Sequence, residues 1–130
     1  MTMSEDKIFD KTLRLPVFNG TDEDWPVWSE KFLVRARRRG YKNLLLGTEQ
    51  VPRLKEIAKD EEMLKSIERR RELNELAYEE IVMAIDTSKK TGRVAFDHVR
   101  LAKTPDNPDG NCYDAWQRLC AKYAPRQAPV

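Results

Sequence analysis

The sequence predicts an all-α protein, a compact bundle of five or six helices preceded by an extended amino-terminal arm. Apolar residues recur at the three- and four-residue spacing of a buried helix face through most of the chain, and glycine and proline residues separate these stretches. Strand-like alternation is confined to residues 13–18. We therefore expect a mobile arm over residues 1–12, a helical lobe over residues 13–124 and a linker-like tail over residues 125–130.

The first predicted helix lies between clear start and stop signals. Residues 13–18 are expected to be extended because Pro16 interrupts their alternation. Residues 21–24 (TDED) supply capping oxygens and negative charge immediately before Trp25, where the helix begins. Gly40 supplies the stop. The apolar stripe of this helix consists of Trp25, Trp28, Phe32, Leu33 and Ala36.

A short helix and a long charged segment follow. Residues 41–46 are long enough for one short helix, and residues 48–52 form a loop. Residues 53–72 contain seven basic and six acidic side chains, which predicts a solvated helical region. Within it, the arginines at 69–71 are expected to pair with the glutamates that flank them. The thin apolar stripe of this region consists of Leu54, Ile57, Leu64 and Ile67.

Three further elements complete the predicted bundle. A central core helix ends near residues 86–88 (DTS), and a short helix covers residues 93–103. Residues 104–110 (TPDNPDG) form a surface loop, after which Asn111 caps a last helix that ends before Pro125. Their apolar positions are Leu73, Leu76, Ala77, Ile81, Ala84 and Ile85 in the central helix, Val94, Ala95, Val99 and Leu101 in the short helix, and Tyr113, Trp116, Leu119, Cys120 and Tyr123 in the last helix.

The composition argues against several classes of protein. Twenty-four basic side chains against 22 acidic ones leave a net charge of +2, far from that of a dedicated nucleic-acid module. Two cysteines and one histidine cannot furnish a four-ligand zinc site. No stretch approaches the roughly 20 apolar residues of a membrane span, and the amino terminus does not resemble a signal peptide. We expect an intracellular, cytoplasmic protein without metal or cofactor.

Two features that suggest catalysis are better explained as structure. Residues 86–88 nearly spell an aspartic-protease motif, but Lys89 stands where that motif requires glycine. His98 lies on a predicted helix, and no recognised signature places a nucleophile beside it. The sequence therefore predicts no catalytic residue and no enzymatic activity.

A cluster of basic residues surrounds the end of the first predicted helix. Cations there balance the negative end of the helix dipole and increase solubility. Alternatively, they form a patch for RNA or another polyanion, whose contribution must be local because the net charge is small. The cluster consists of Arg35, Arg37, Arg38, Arg39 and Lys42.

Two ends of the chain resemble one known family. The FNG sequence at 18–20, followed by Trp25 and Trp28 at the start of an amphipathic helix and by LLLG at 44–47, resembles the beginning of the Gag polyprotein of copia-type LTR retrotransposons. Residues 115–123 (AWQRLCAKY) resemble the AWxxLxxxY element of that family. The resemblance extends over residues 15–124. Two features depart from the pattern, namely the long PDNPDG loop and the Asn111-Cys112 pair, which replaces a small residue before the last helix.

The resemblance implies the fold of the amino-terminal lobe of a retroelement capsid, which host proteins domesticated from Gag also retain. It implies a structural protein that associates with itself into a shell around RNA. The zinc knuckle and protease motifs of Gag are missing from these 130 residues, as expected for either a fragment or a domesticated host gene.

A second function stays open beside self-association, namely a monomeric adaptor that binds a partner peptide in a hydrophobic groove. Residues 13–18 then have two readings, as a clamp on their own lobe or as a wall or self-ligand of that groove. The predicted core or groove anchors are Phe18, Trp25, Trp28, Phe32, Trp116, Leu119 and Tyr123.

Overall fold

A computed structural model describes residues 14–125, which form five helices and one isolated β-bridge. The predicted all-α class is confirmed. The predicted arm over residues 1–12 and the tail beyond Pro125 lie outside the described residues. No helix within residues 14–125 is long and apolar enough to cross a bilayer. The helices are α1 (Trp25–Arg39), α2 (Lys42–Leu46), α3 (Glu61–Ala84), α4 (Lys90–Arg100) and α5 (Cys112–Tyr123).

Helix α1 begins and ends where the sequence predicts. Pro26 lies in its first turn, where the missing N–H removes no helical hydrogen bond. The carboxylate of Asp24 accepts a hydrogen bond from the Asn19 N–H (3.1 Å), which fixes the chain entering the helix. Gly40 has a φ of 91°, and its N–H donates to the Ala36 carbonyl (3.0 Å). Glycine ends the helix here because this left-handed conformation is costly for other residues.

The extended segment before α1 is tied to the lobe by its backbone. The Phe18 N–H donates to the Ala84 carbonyl (2.8 Å), and the Asp86 N–H donates to the Phe18 carbonyl (2.9 Å), which forms a parallel β-bridge between Phe18 and Ile85. The indole N–H of Trp28 donates to the Pro16 carbonyl (3.0 Å). The described part of this segment therefore clamps its own lobe.

Aromatic side chains from the two ends of the described chain form the centre of the core. The Phe18 ring stacks on Trp28 at 4.8 Å between centroids, and Trp28 stacks on Phe32 at 5.0 Å. Trp116 of α5 stacks on Phe32 at 5.6 Å. Helix α5 also contacts α2, α3 and α4, so it holds the other helices around these rings.

The charged segment before α3 is not helical up to residue 60, which contradicts the predicted helical region over residues 53–72. Helix α3 begins at Glu61, where the Asp60 carboxylate accepts the Met63 N–H (2.7 Å) as an N-cap. The stripe predicted there is also wrong, because Ile57 is 84% exposed and Ile67 is its only buried member. From Glu61 the helix continues without a break into the predicted central helix.

Helix α4 lies three residues earlier than predicted, over Lys90–Arg100. It buries Gly92, Ala95 and Val99, which share one face at the spacing of a helix. Val94 therefore lies on the outer face, and Leu101 follows the helix as an exposed residue, so neither of these apolar positions is part of the core.

The three arginines of α3 contact the loop before that helix rather than Glu68 and Glu72. Arg69 forms an ion pair with Glu49 (2.6 Å). The next two donate to backbone carbonyl groups, Arg70 to Gln50 (2.8 Å) and Arg71 to Arg53 (2.9 Å). The prediction of local pairing is wrong because these long side chains reach carbonyl groups and a carboxylate on the neighbouring loop.

The loop before α5 is fixed by one buried amide. The Asn74 Nδ2 donates to the Gly110 carbonyl (3.0 Å), and its Oδ1 accepts the Cys112 N–H (2.8 Å). Asn111 then caps α5 as predicted, since its side chain accepts the Asp114 N–H (3.0 Å). The start of the last helix is therefore attached directly to the middle of α3.

Truncation of Trp116 to alanine should lower the free energy of unfolding by about 3–5 kcal/mol, because it removes a large ring from the packed core. Urea unfolding measures the loss. Gln117→Ala, an exposed change on the same helix, is the control and should stay within about 0.5 kcal/mol of the wild type. A loss below about 1 kcal/mol for Trp116→Ala would contradict this architecture.

Candidate functional site

The predicted core or groove anchors are all buried. Trp28, Phe32 and Trp116 are at most 3% exposed, so their ring faces contact one another and other core residues instead of solvent. Trp25 completes the cluster at 5.5 Å from Trp116. These rings position α1 against α5, and the surfaces available to a ligand lie around them.

Two members of the predicted basic cluster are turned toward a buried carboxylate. Arg35 donates to Glu80 of α3, and the Arg39 Nε lies 3.5 Å from the same oxygen. The Tyr41 hydroxyl donates to the other Glu80 oxygen at 2.7 Å. Glu80 is only 8% exposed, so this network joins α1, α2 and α3 inside the fold.

The environment of Glu80 favours its charged form. Burial opposes ionisation, but the hydrogen bonds from Arg35 and Tyr41 and the nearby positive charges outweigh it, so the pKa of Glu80 lies below its ordinary value of 4.5. Burial and the hydrogen bond to Glu80 raise the pKa of Tyr41 far above its ordinary value of 10.0. Tyr41 therefore remains a neutral donor and Glu80 a charged acceptor at neutral pH.

Sequence reasoning missed Glu80 because it lies in a highly charged stretch and resembles a solvated residue. Its spacing from the buried apolar residues of α3 is the signal that could have identified it. Ala77, Ile81 and Ala84 define the buried face of α3, and Glu80 lies three residues after the first and four before the last. A charge at such a position requires partners on neighbouring elements.

Of the remaining members of the basic cluster, Arg37 and Arg38 face outward. Arg37 and Arg38 are exposed in the last turn of α1, and Lys42 is half-buried at the start of α2. Within residues 14–125, Arg37 and Arg38 form no ion pair with an acidic side chain. Their charges are therefore available to an external partner.

Two open clefts flank the lobe. The α3–α4 cleft, between the end of α3 and helix α4, has a volume of about 830 Å³ and combines apolar residues with cations. The α1–α5 cleft, between the turn before α1, helix α4 and the end of α5, has a volume of about 360 Å³. The first is lined by Val82, Met83, Ile85, Thr87, Lys90, Arg93, Val94, Phe96 and Asp97, and the second by Gly20, Thr21, Asp22, Glu23, Thr91, Val94, Lys122 and Tyr123.

Among the residues that the structure describes, the Tyr123 hydroxyl has no hydrogen-bond partner although it is buried. Its ring stacks on Trp25 at 5.7 Å, which fixes the side chain beside the α1–α5 cleft. Burial, and then the negative charge of Asp22, raise the pKa of this hydroxyl. It is therefore a neutral group that can both donate and accept a hydrogen bond.

The near-protease motif at residues 86–88 forms a turn. Asp86 accepts hydrogen bonds from the Ser88 N–H (3.0 Å) and hydroxyl (2.6 Å), which makes residues 86–88 a turn between α3 and α4. Burial raises the pKa of Cys112 to about 12, so its thiol stays protonated and unreactive. Within residues 14–125, no group of three or more histidine, cysteine or acidic residues is arranged to hold a metal ion.

The fold and the two clefts define an all-helical lobe with potential binding surfaces. Comparison of the chain with protein-family models, curated proteins and solved structures finds no match.

Replacement of Glu80 by glutamine should lower the free energy of unfolding at pH 7 by about 1.5–3 kcal/mol, because it removes the charge from hydrogen bonds that Arg35 and Tyr41 donate. Glu79→Gln, the exposed neighbouring change, is the control and should have little effect.

The same substitution should also flatten the pH dependence of stability. Since the folded pKa of Glu80 is lowered, its contribution is present above the ordinary pKa of 4.5 and is lost as the pH falls through the folded pKa. Since the folded pKa of Tyr41 is raised, its contribution is lost as the pH rises above 10.0. Urea midpoints between acidic and neutral pH measure the first effect. Identical acid profiles for wild type and Glu80→Gln would contradict it.

Proposed function

We propose that this protein is a non-enzymatic structural domain that associates with itself, as the amino-terminal lobe of a copia-type Gag capsid would, into a shell around RNA. The resemblance of its first and last helices to that family supports the proposal, and the all-helical fold is compatible with it. One observation carries it furthest, namely a pair of exposed valines on the same side of α1.

The outer face of α1 exposes two valines. Val27 is 57% exposed and Val34 is 45% exposed, and their seven-residue spacing places them on one side of the helix. Single exposed apolar residues are normal, whereas an aligned pair on a long helix offers a surface for another helix. Its small size favours weak contacts that become effective when an assembly repeats them.

The exposed end of α1 supports the RNA part of the proposal. Arg37, Arg38 and Lys42 form a local cationic patch in a chain whose net charge is only +2. Such a patch attracts phosphates without sequence preference and with little affinity per copy. Arrayed lobes would add these weak contacts together.

A second function is favoured by the α3–α4 cleft. Its lining includes the apolar residues Met83 and Phe96 and the cations Lys90 and Arg93. A peptide that combines apolar and acidic side chains matches both features. A protein that remains monomeric, binds such peptides and loses binding in a Lys90→Glu/Arg93→Glu variant would favour the adaptor function over self-association.

The self-association proposal predicts reversible, concentration-dependent oligomers that Val27→Asp/Val34→Asp weakens by at least about tenfold, since charges would be placed in an apolar contact. Sedimentation velocity up to about 1 mM protein covers the range of weak interfaces. Leu64→Asp/Leu101→Asp alters two other exposed apolar residues and should leave association unchanged. A wild-type chain that is monomeric throughout this range would contradict the proposed function.

The RNA proposal predicts a change in salt dependence. In an artificially multimerised form, each phosphate contact that Arg37→Glu or Arg38→Glu removes should reduce the slope of log affinity against log salt by about 0.7 for single-stranded RNA. Lys55→Glu/Lys65→Glu, which alters exposed lysines elsewhere, is the control. Equal slopes and equal RNA binding for all forms would exclude the patch as a nucleic-acid contact.

A further inference from the structure

The two ends of α1 carry opposite charges. Asp22 and Glu23 are exposed immediately before the helix, whereas Arg37 and Arg38 are exposed in its last turn. The neighbouring Asp24 differs from these two residues, because its carboxylate already accepts a hydrogen bond from the Asn19 N–H. The helix therefore presents two carboxylates at one end and two guanidinium groups at the other.

The acidic end of α1 opens into the α1–α5 cleft. Asp22 and Glu23 line it together with Thr21, and Lys122 is the cation in its lining. The Lys122 ammonium lies over the Tyr123 ring, 5.5 Å from its centre, in a cation–π contact. Two carboxylates against one ammonium leave the cleft with an excess of negative charge.

Besides this charge, the cleft contains a polar group that lacks a hydrogen-bond partner among the described residues, the hydroxyl of Tyr123. The side chain is 6% exposed, and its hydroxyl has no hydrogen-bond partner within residues 14–125. A buried polar group without a partner is unfavourable, so a ligand that supplies one is favoured. The oxygen itself has almost no exposed surface, so a ligand must displace the atoms that cover it. Asp22 is close enough for its charge to act on this hydroxyl, so a group that donates several hydrogen bonds could then serve both.

A guanidinium group has this chemistry. It is planar and permanently charged, has five N–H donors and pairs with carboxylates. The volume of the cleft, about 360 Å³, falls in the range of small-ligand sites. Arg37 and Arg38 carry guanidinium groups that are exposed and form no ion pair within residues 14–125.

We propose that the α1–α5 cleft binds the guanidinium group of one of the two arginines Arg37 and Arg38 from a second copy of this chain, which leaves the other arginine and Lys42 for phosphate. This inference rests on the self-association proposed above and identifies one of its contacts. The contact is head to tail, with the acidic start of α1 in one copy facing the basic end of α1 in the next. Such an interface uses two different surfaces of each copy and therefore repeats into rings or open chains.

Two charge-reversed forms of the full chain test this contact. Asp22→Lys/Glu23→Lys converts the acidic end, and Arg37→Glu/Arg38→Glu converts the basic end. In RNA-free sedimentation experiments at low salt, each form alone should associate at least about tenfold more weakly than wild type, because like charges now meet. An equimolar mixture should recover association, since each junction then joins opposite charges.

Matched controls separate this effect from net charge. Glu75→Lys/Glu79→Lys and Lys55→Glu/Lys65→Glu change the charge equally at exposed positions elsewhere and should leave association near the wild-type value. Tyr123→Phe should weaken association about threefold without lowering the urea midpoint, because an unpartnered hydroxyl contributes no hydrogen bond to the isolated fold.

The outcomes distinguish the inference from the function on which it rests. If the two charge-reversed forms associate no more weakly than their controls, the head-to-tail contact is overturned and self-association is left intact. The same conclusion follows if the mixture of the two forms does not recover association. A fall in the urea midpoint of Tyr123→Phe with unchanged association shows a structural hydroxyl and also overturns it. A wild-type chain that is monomeric up to about 1 mM overturns both.

Discussion

The contact between the rings of α1 and Trp116 of α5 is the interaction on which the rest of the structure depends. It joins elements that are more than eighty residues apart in sequence, with Trp116 5.5 Å from Trp25 and 5.6 Å from Phe32. Once these helices are paired, Trp28 can hold the Pro16 carbonyl, and Phe18 can bridge to Ile85. That bridge in turn fixes the turn between α3 and α4. Through Phe18 the aromatic cluster is thus connected to Ile85, which lines the α3–α4 cleft, and to Tyr123, which lines the α1–α5 cleft.

The Glu80 network makes a different contribution to the fold. Burial of a carboxylate is unfavourable unless charged and polar partners surround it, and removal of a partner costs more than the intact network contributes. Glu80 meets this condition through Arg35, Arg39 and Tyr41, two of which lie on α1 and the third just before α2. The geometry of this network therefore favours a single orientation of α1 relative to α3, whereas apolar packing alone would tolerate several orientations.

Much of the fold could be predicted from the sequence because the relevant signals are local. The spacing of Trp25, Trp28 and Phe32 and the stop at Gly40 are encoded within a few turns of one helix, and Asn111 marks the start of α5 in the same way. Partners across the fold have no such local signal. In the sequence, the arginines at 69–71 are flanked by glutamates that could pair with them, yet their partners lie about twenty residues away.

The candidate surfaces were harder to foresee for the same reason. Charge runs indicate which residues are polar, but Arg35 and Arg37 differ in surroundings only because of the side of α1 on which they lie. The unpartnered Tyr123 hydroxyl depends on the packing of three separate segments and leaves no trace in the sequence. Periodicity thus predicts which residues are buried, whereas the state of their polar atoms requires coordinates.

The clustering of all three tryptophans has a practical consequence for spectroscopy. Trp25, Trp28 and Trp116 lie within 5.9 Å of one another, so their emission originates from a single region of the molecule. A fluorescence-detected transition therefore monitors the separation of α1 from α5 and is insensitive to fraying of α4 or of the first turns of α3. Circular dichroism is weighted most heavily by the 24-residue α3, so it reports on a different part of the lobe from the contact between α1 and α5. Agreement between these two signals would be a stringent test of whether the lobe unfolds as one cooperative unit.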